Sequence, residues 1–204
     1  GLRQVKFPMQ FLDFETFNPG LPVYVGTRPY QVIPFQWSLH VRDSTGNLRH
    51  ESFLHDDPGD PREAFVTSLV EAISPDGSIV VYSSYEQTII KRLAEIFPEH
   101  EEHLLALCDR IFDLLKLLRQ YYYHPEFHGS YSIKSVLPAL VPQMSYDDLK
   151  IQGGSVASVA FARMITADVQ HKEQARIREA LLAYCRRDTE AMVRVFDALQ
   201  SVSS

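Results

Sequence analysis

The chain has little cysteine, no excess of positive charge, no low-complexity tract and no apolar run long enough to cross a bilayer. Each absence excludes something. The two cysteines, Cys108 and Cys185, match neither a disulfide framework nor a zinc-ligand spacing, so both are expected to be reduced, as in a cytoplasmic protein. Without an apolar stretch of about 20 residues or a signal peptide, no membrane partner is expected. The formal charge of −6 and a pI of 5.7 leave no general basic field, which argues against a tight duplex binder. An enzyme that grips only the end of a strand is still allowed, because bound metal ions would supply the local positive charge. The first residue is Gly1 rather than Met, which reads as a fragment whose parent chain supplies further domains as partners.

What is present fits a folded protein. At 204 residues, 45% hydrophobic and 23% charged, the chain reads as one domain, residues 1–204, large enough to bury a core. Residues 5–13 read as a first strand, and a long Pro/Gly/Tyr-rich loop, 18–34, follows and is placed to cover a site. Residues 35–41 and 48–54 read as strands two and three of an antiparallel meander, joined by a turn at 43–47. Helices are expected over 62–73, 86–97 and 114–122, with short buried strands at 78–82 and 110–113. Prolines 138 and 142 and Gly153-Gly154 divide 131–165 into short helices, and Gly153-Gly154-Ser155 reads as a turn rather than a phosphate loop. Residues 171–199 form one long amphipathic helix. The pattern is α/β, with a mixed five-stranded sheet and flanking helices.

Within the first strand, Phe11-Leu12-Asp13-Phe14-Glu15-Thr16 places two carboxylates in an apolar run. Side chains alternate along a strand, so Asp13 and Glu15 share a face, and a divalent cation between them would offset their repulsion. The other reading is two solvated acids at a strand end. In the last helix the apolar stripe runs through Leu181, Tyr184, Met192, Val195 and Leu199, yet the step that should hold a hydrophobe holds Asp188, one turn after Tyr184. Asp188 needs a metal, or an ion pair with Arg186, Arg187 or another basic residue. Glu86 follows the fourth strand; it suits a metal site, or a capping box with Ser83 at the start of a helix.

The order of these motifs, Asp-x-Glu on a first strand, an acid after Tyr85 and Tyr-x-x-x-Asp on a late helix, resembles the DEDD 3′-to-5′ exonucleases of the ribonuclease H-like superfamily. Ala183 stands where the sister branch carries histidine, so the tyrosine (DEDDy) branch is the nearer likeness. The stretch Gly129-Ser130-Tyr131-Ser132-Ile133-Lys134-Ser135-Val136-Leu137-Pro138 also resembles a bacterial domain family of unknown function in that superfamily. The resemblance implies a ribonuclease H-like fold and hydrolysis of phosphodiester bonds at single-stranded DNA or RNA 3′ ends. It carries metal and catalytic roles to Asp13, Glu15, Glu86 and Asp188, and a water-orienting role to Tyr184. Two divalent ions, Mg²⁺ or Mn²⁺ by the oxygen ligands, would acidify the attacking water and neutralise the transition state. Asp13 would bridge both ions, Glu15 and Asp188 would complete the nucleophile side, and Glu86 would support the other. Glu86 departs from the family's Asp by one methylene, and Asp113 is its rival. Phe14, Phe17 and Tyr85 flank the acids as stacking surfaces for a terminal base, or as core. Tyr121-Tyr122-Tyr123-His124 and His128 suit either a binding patch or a helix end running into a loop. An inactive ribonuclease H-like module that binds nucleic acid or scaffolds a larger protein is the alternative function.

Overall fold

The structure, a computed structural model, describes residues 1–166 and 168–202. Five strands form one sheet in the order β3-β2-β1-β4-β5: β1 Met9–Phe17, β2 Ile33–Arg42, β3 Leu48–Leu54, β4 Ser78–Val81 and β5 Ile111–Asp113. β1 pairs antiparallel with β2 and parallel with β4, so the meander and the parallel half meet at β1. The helices are α1 Arg62–Ala72, α2 Tyr85–Ile96, α3 Glu101–Cys108, α4 Leu114–Tyr121, α5 Ile133–Leu140, α6 Gly154–Met164 and α7 His171–Val202. No helix among the described residues is long and apolar enough to cross a membrane.

The helices cover the sheet on both faces. Leu12, Phe14, Trp37, Leu39 and Val41 pack with α1, α2 and α3, through Phe65, Val66, Leu69, Ile89, Ile90, Leu93 and Leu104. Phe11, Phe17 and Phe35 pack on the other side with α5, α6 and α7, through Val136, Phe161, Met192 and Phe196. Each fully buried aromatic or leucine contributes about 1.5–3 kcal/mol relative to exposure. The alternation of β1 therefore sends Asp13 and Glu15 to the α7 side, in a row between Phe11 and Phe17.

The first strand differs from expectation at both ends. The first strand begins at Met9, not at residue 5, and runs on to Phe17. Pro8, which follows a cis Phe7–Pro8 bond, has no N–H to give a ladder, so pairing starts after it. The acidic pair consequently lies within the strand rather than at its end. Beneath Pro8 is Gly77, at φ +82°, in the turn that leads into β4; a Cβ on it would lie 2.0 Å from the Pro8 carbonyl oxygen. That approach lets β4 pair with β1 from Met9↔Ser78 onward and so fixes where α2 begins. Gly77→Ala is expected to lower stability by about 2–3 kcal/mol, read as a reduced midpoint in urea unfolding; an unchanged midpoint would refute this close packing.

Candidate metal-binding and active site

Three elements carry the acids into one cleft of about 840 Å³, lined by Asp13, Glu15, Glu86, Tyr184 and Asp188. β1 supplies Asp13 and Glu15 from one face, opposite Ser38 and Gln36 of β2. α2 supplies Glu86 from its first turn. α7 supplies Tyr184 and Asp188 from its buried stripe. The rotation of α7 is set by polar groups on the same face of β2. The Gln36 amide donates to the Leu181 carbonyl at 2.9 Å, and Thr189 Oγ1 lies 2.8 Å from both Ser38 Oγ and His40 Nδ1. Since Asp188 precedes Thr189 and Asp13 pairs with Ser38, this clamp delivers Asp188 to Asp13. Outside it, Arg42 holds Asp197 with two bonds, at 2.5 and 2.8 Å.

The alternative readings of the two later acids can now be compared with their contacts. Arg187 donates to the Ser145 carbonyl and to both Asp148 oxygens rather than to Asp188. The segment it anchors presents Tyr146, whose hydroxyl donates to Asp188 Oδ1 at 2.5 Å. Ser84, not Ser83, is the N-cap of α2, and it makes no side-chain cap bond; Ser83 Oγ accepts from the Tyr85 N–H at 3.2 Å. Glu86 turns inward, 4% exposed, and its Oε2 is buried with no hydrogen-bond partner among the described residues. An unpartnered buried carboxylate oxygen is costly and suits a cation ligand. Asp113 is occupied elsewhere: it caps α4 by accepting from the Lys116 N–H at 2.8 Å and does not line the cleft.

Burial dominates the electrostatics. It pushes the Asp13 carboxyl well above the usual range, and Asp188, Glu86 and Glu15 push it further. Glu15 is raised by burial and by Asp188, against the pull of Lys134. Burial lifts Glu86 to about 8, aided by Asp113 and Asp188. It lifts Asp188 to about 6, opposed by the bond from Tyr146 and by Lys134. The Tyr184 phenol is raised by burial and then by the acids, so its hydroxyl is a neutral donor near pH 7. Four acids that raise one another's proton affinity form a site that a divalent cation would relieve.

The structure adds residues that the sequence pattern did not single out. Cys185 is fully buried, and its thiol lies 3.6 Å from Asp13 Oδ2. Asp13, Glu15 and Cys185 bring ligand atoms within 4.8 Å of one another. Cys185 stands three residues before Asp188 on the same helical face, which is the spacing that could have marked it. Tyr146 and Lys134 come from the stretch around short helices, where no period marks a face.

The aromatic stacking expectation needs correction at two of its three positions. Phe14 is 5% exposed and sits edge-on to Phe65 with centroids 5.0 Å apart. Phe17 is 4% exposed and meets Phe161 at 5.0 Å. Rings enclosed in this way have no face left for a base. Tyr85, 40% exposed at the cleft with its hydroxyl 2.7 Å from Thr16 Oγ1, does. Of the 18–32 loop, Asn18 and Val32 border the cleft. Gly153 is the N-cap of α6, which starts at Gly154, instead of forming a simple turn. Tyr121, Tyr122, His124 and His128 lie around the end of α4 and outside the cleft.

Comparison with known proteins agrees with the architecture. A family B DNA polymerase from the archaeon Pyrobaculum calidifontis superposes with a TM-score of 0.50 over 90% of this chain and 24% of its own, at 16% identity. The ExoI/SSB-Ct complex gives 0.47 over 86% and 43%, at 19% identity. The mixed sheet with its flanking helices is a ribonuclease H-like fold. In sequence, an uncharacterized protein of Mycoplasma genitalium is 26% identical over 98% of this chain and 33% of its own length. One of Mycoplasma pneumoniae is 25% identical over 95% and 32%. The chain thus spans about one third of the curated relatives it matches. Residues 10–132, more than half of the chain and including Asp13, Glu15 and Glu86, match the model for a domain of unknown function, DUF2779, and the chain belongs to that family.

Proposed function

We propose that this protein is a metal-dependent 3′-to-5′ exonuclease of the DEDDy type, hydrolysing phosphodiester bonds at single-stranded nucleic-acid ends. The observation that carries the reading is the convergence of Asp13, Glu15, Glu86 and Asp188 on one cleft, with Glu86 Oε2 buried and unpartnered. These residues fit Mg²⁺ or Mn²⁺ and would hold it. Bound divalent ions supply charge neutralisation at the phosphate and a more acidic attacking water. The chain's own groups do the rest. Tyr146 keeps Asp188 ionised and oriented. The neutral Tyr184 hydroxyl, inside the cleft, orients the attacking water rather than removing its proton. Tyr85 offers a ring face to the terminal base, a contact indifferent to sequence. A purely structural module has no use for four acids held against their repulsion, which weighs against an inactive scaffold.

Incubation with 3′- and 5′-labelled DNA and RNA oligomers in Mg²⁺ or Mn²⁺ is expected to give a ladder that shortens from the 3′ end. Internal cuts without that ladder would overturn the exonuclease reading. Asp13→Ala is expected to abolish both turnover and Mn²⁺-dependent thermal stabilisation, which for wild type reaches about 2.7 kcal/mol at a metal concentration 100 times Kd. Tyr184→Phe should lower turnover by about 100-fold and leave that stabilisation in place. A metal must also displace protons from Glu86, near 8, and from Asp188, near 6. Protonation of the free site at low pH opposes binding, so calorimetric Mn²⁺ affinity should rise from pH 6 to pH 8; a flat profile would contradict these acids as ligands.

A further inference from the structure

A second groove, of about 1000 Å³, adjoins the acid cleft. Ser83, in the loop between β4 and α2, borders both, so the two meet where the chain turns toward Glu86. α4 forms one wall of this groove. Leu114 and Leu118, one turn apart, are fully buried, which leaves Lys116 and Arg119 on the outward side. The Leu115 N–H donates to the Tyr82 carbonyl at 2.9 Å and ties the start of α4 to a residue that borders the cleft. Arg119 is felt there: burial raises the Tyr82 phenol, and the guanidinium opposes the rise. The charge of the groove runs against that of the chain. Although the chain carries −6, the groove is lined by two cationic side chains, Lys116 and Arg119, and one acidic one, Asp113, which is engaged in capping α4. Neither cation makes a side-chain hydrogen bond or a close ion pair among the described residues. Tyr121, at the end of the same helix, borders the groove with 70% of its surface exposed. Unpaired cations and an open aromatic ring along one groove are the parts that hold a single strand, its phosphates on the cations and a base on the ring.

We infer that this groove carries the single strand on the 5′ side of the nucleotide held in the cleft, with Lys116 and Arg119 on backbone phosphates and Tyr121 stacked on a base. This rests on the exonuclease reading, which puts the 3′ end among the acids. The strand then runs from the acid cluster toward positive charge, so a chain with no general basic field grips nucleic acid along one line.

The test compares wild type with the double variant Lys116→Ala, Arg119→Ala and with Tyr121→Ala and Tyr121→Phe. The double variant Lys172→Ala, Arg176→Ala removes the same charge from exposed positions in the first turns of α7 and serves as the control. Fluorescence anisotropy of a long 5′-labelled oligothymidylate, with Ca²⁺ present, gives binding against KCl concentration. Losing two phosphate contacts on a single strand should reduce the slope of log K against log salt by about 1.4 in the groove variant and leave the control at the wild-type slope. Tyr121→Ala should weaken binding about 5-fold or more, and Tyr121→Phe should keep it. Iododeoxyuridine within the strand should crosslink to Tyr121 on irradiation, and at the 3′ terminus it should not. Equal slopes in wild type and groove variant, an equal loss in the control, or crosslinking from the 3′ terminus alone would overturn the groove. Absence of oligomer binding by wild type, or a binding loss that tracks a lowered melting temperature, would overturn it too. Wild type that binds through the groove but shortens no oligomer would instead overturn the exonuclease reading and leave the groove as a single-strand site.

Discussion

Repulsion among Asp13, Glu15, Glu86 and Asp188 is the constraint to which the surrounding structure answers. Two unit charges 4 Å apart cost about 4 kcal/mol even at an effective dielectric constant of 20. Buried acids at such spacings take up protons or a cation, or force the fold apart. Here the fold does not give way, because each acid belongs to an element whose position is fixed by other contacts. The β1 acids lie between Phe11 and Phe17 in a central strand paired with β2 along its length and with β4 at its start. Asp188 rides on a helix whose rotation is set by Thr189, Ser38, His40 and Gln36. Glu86 begins a helix that follows directly from the parallel strand beside β1.

That division of labour separates stability from chemistry. Apolar contacts on both faces of the sheet hold the layers together, while a thin row of polar groups between sheet and α7 orients the site. Around Thr189 the row is joined by mutual hydrogen bonds, while Glu86 Oε2, like Gln36 Oε1, is buried with no partner among the described residues.

Much of this was legible in the residues. Alternation in β1 put Asp13 and Glu15 on a common face, and the helical period put Tyr184 and Asp188 on another, because both elements are long enough for a period to show. The strands and most helix ends fell within a residue or two for the same reason. Neither end of β1 did: apolar Val5 and Phe7 resemble strand residues until Pro8 is weighed, and the strand runs on past Asp13 to Phe17. Lys134 and Tyr146 were hidden for a different reason. They lie in and after a helix of about two turns, in a stretch broken by Pro138, Pro142 and Gly153, where tertiary contacts alone decide which side faces inward. Phe14 and Phe17 show the converse problem: neighbours in sequence to the acids, they point into cores that only the packing of Phe65 and Phe161 reveals.

The contact between Cys185 and Asp13 joins residues 172 apart, the last helix closing on the first strand. During synthesis β1 leaves the ribosome before α7, so its two acids are made before Asp188. A nascent chain therefore lacks the complete acid cluster until α7 has been made and docked. The same order governs refolding: pairings distant in sequence form late, because the loop they close costs entropy before the contacts repay it. Assembly of the cleft is in this way a report that the layers are in place.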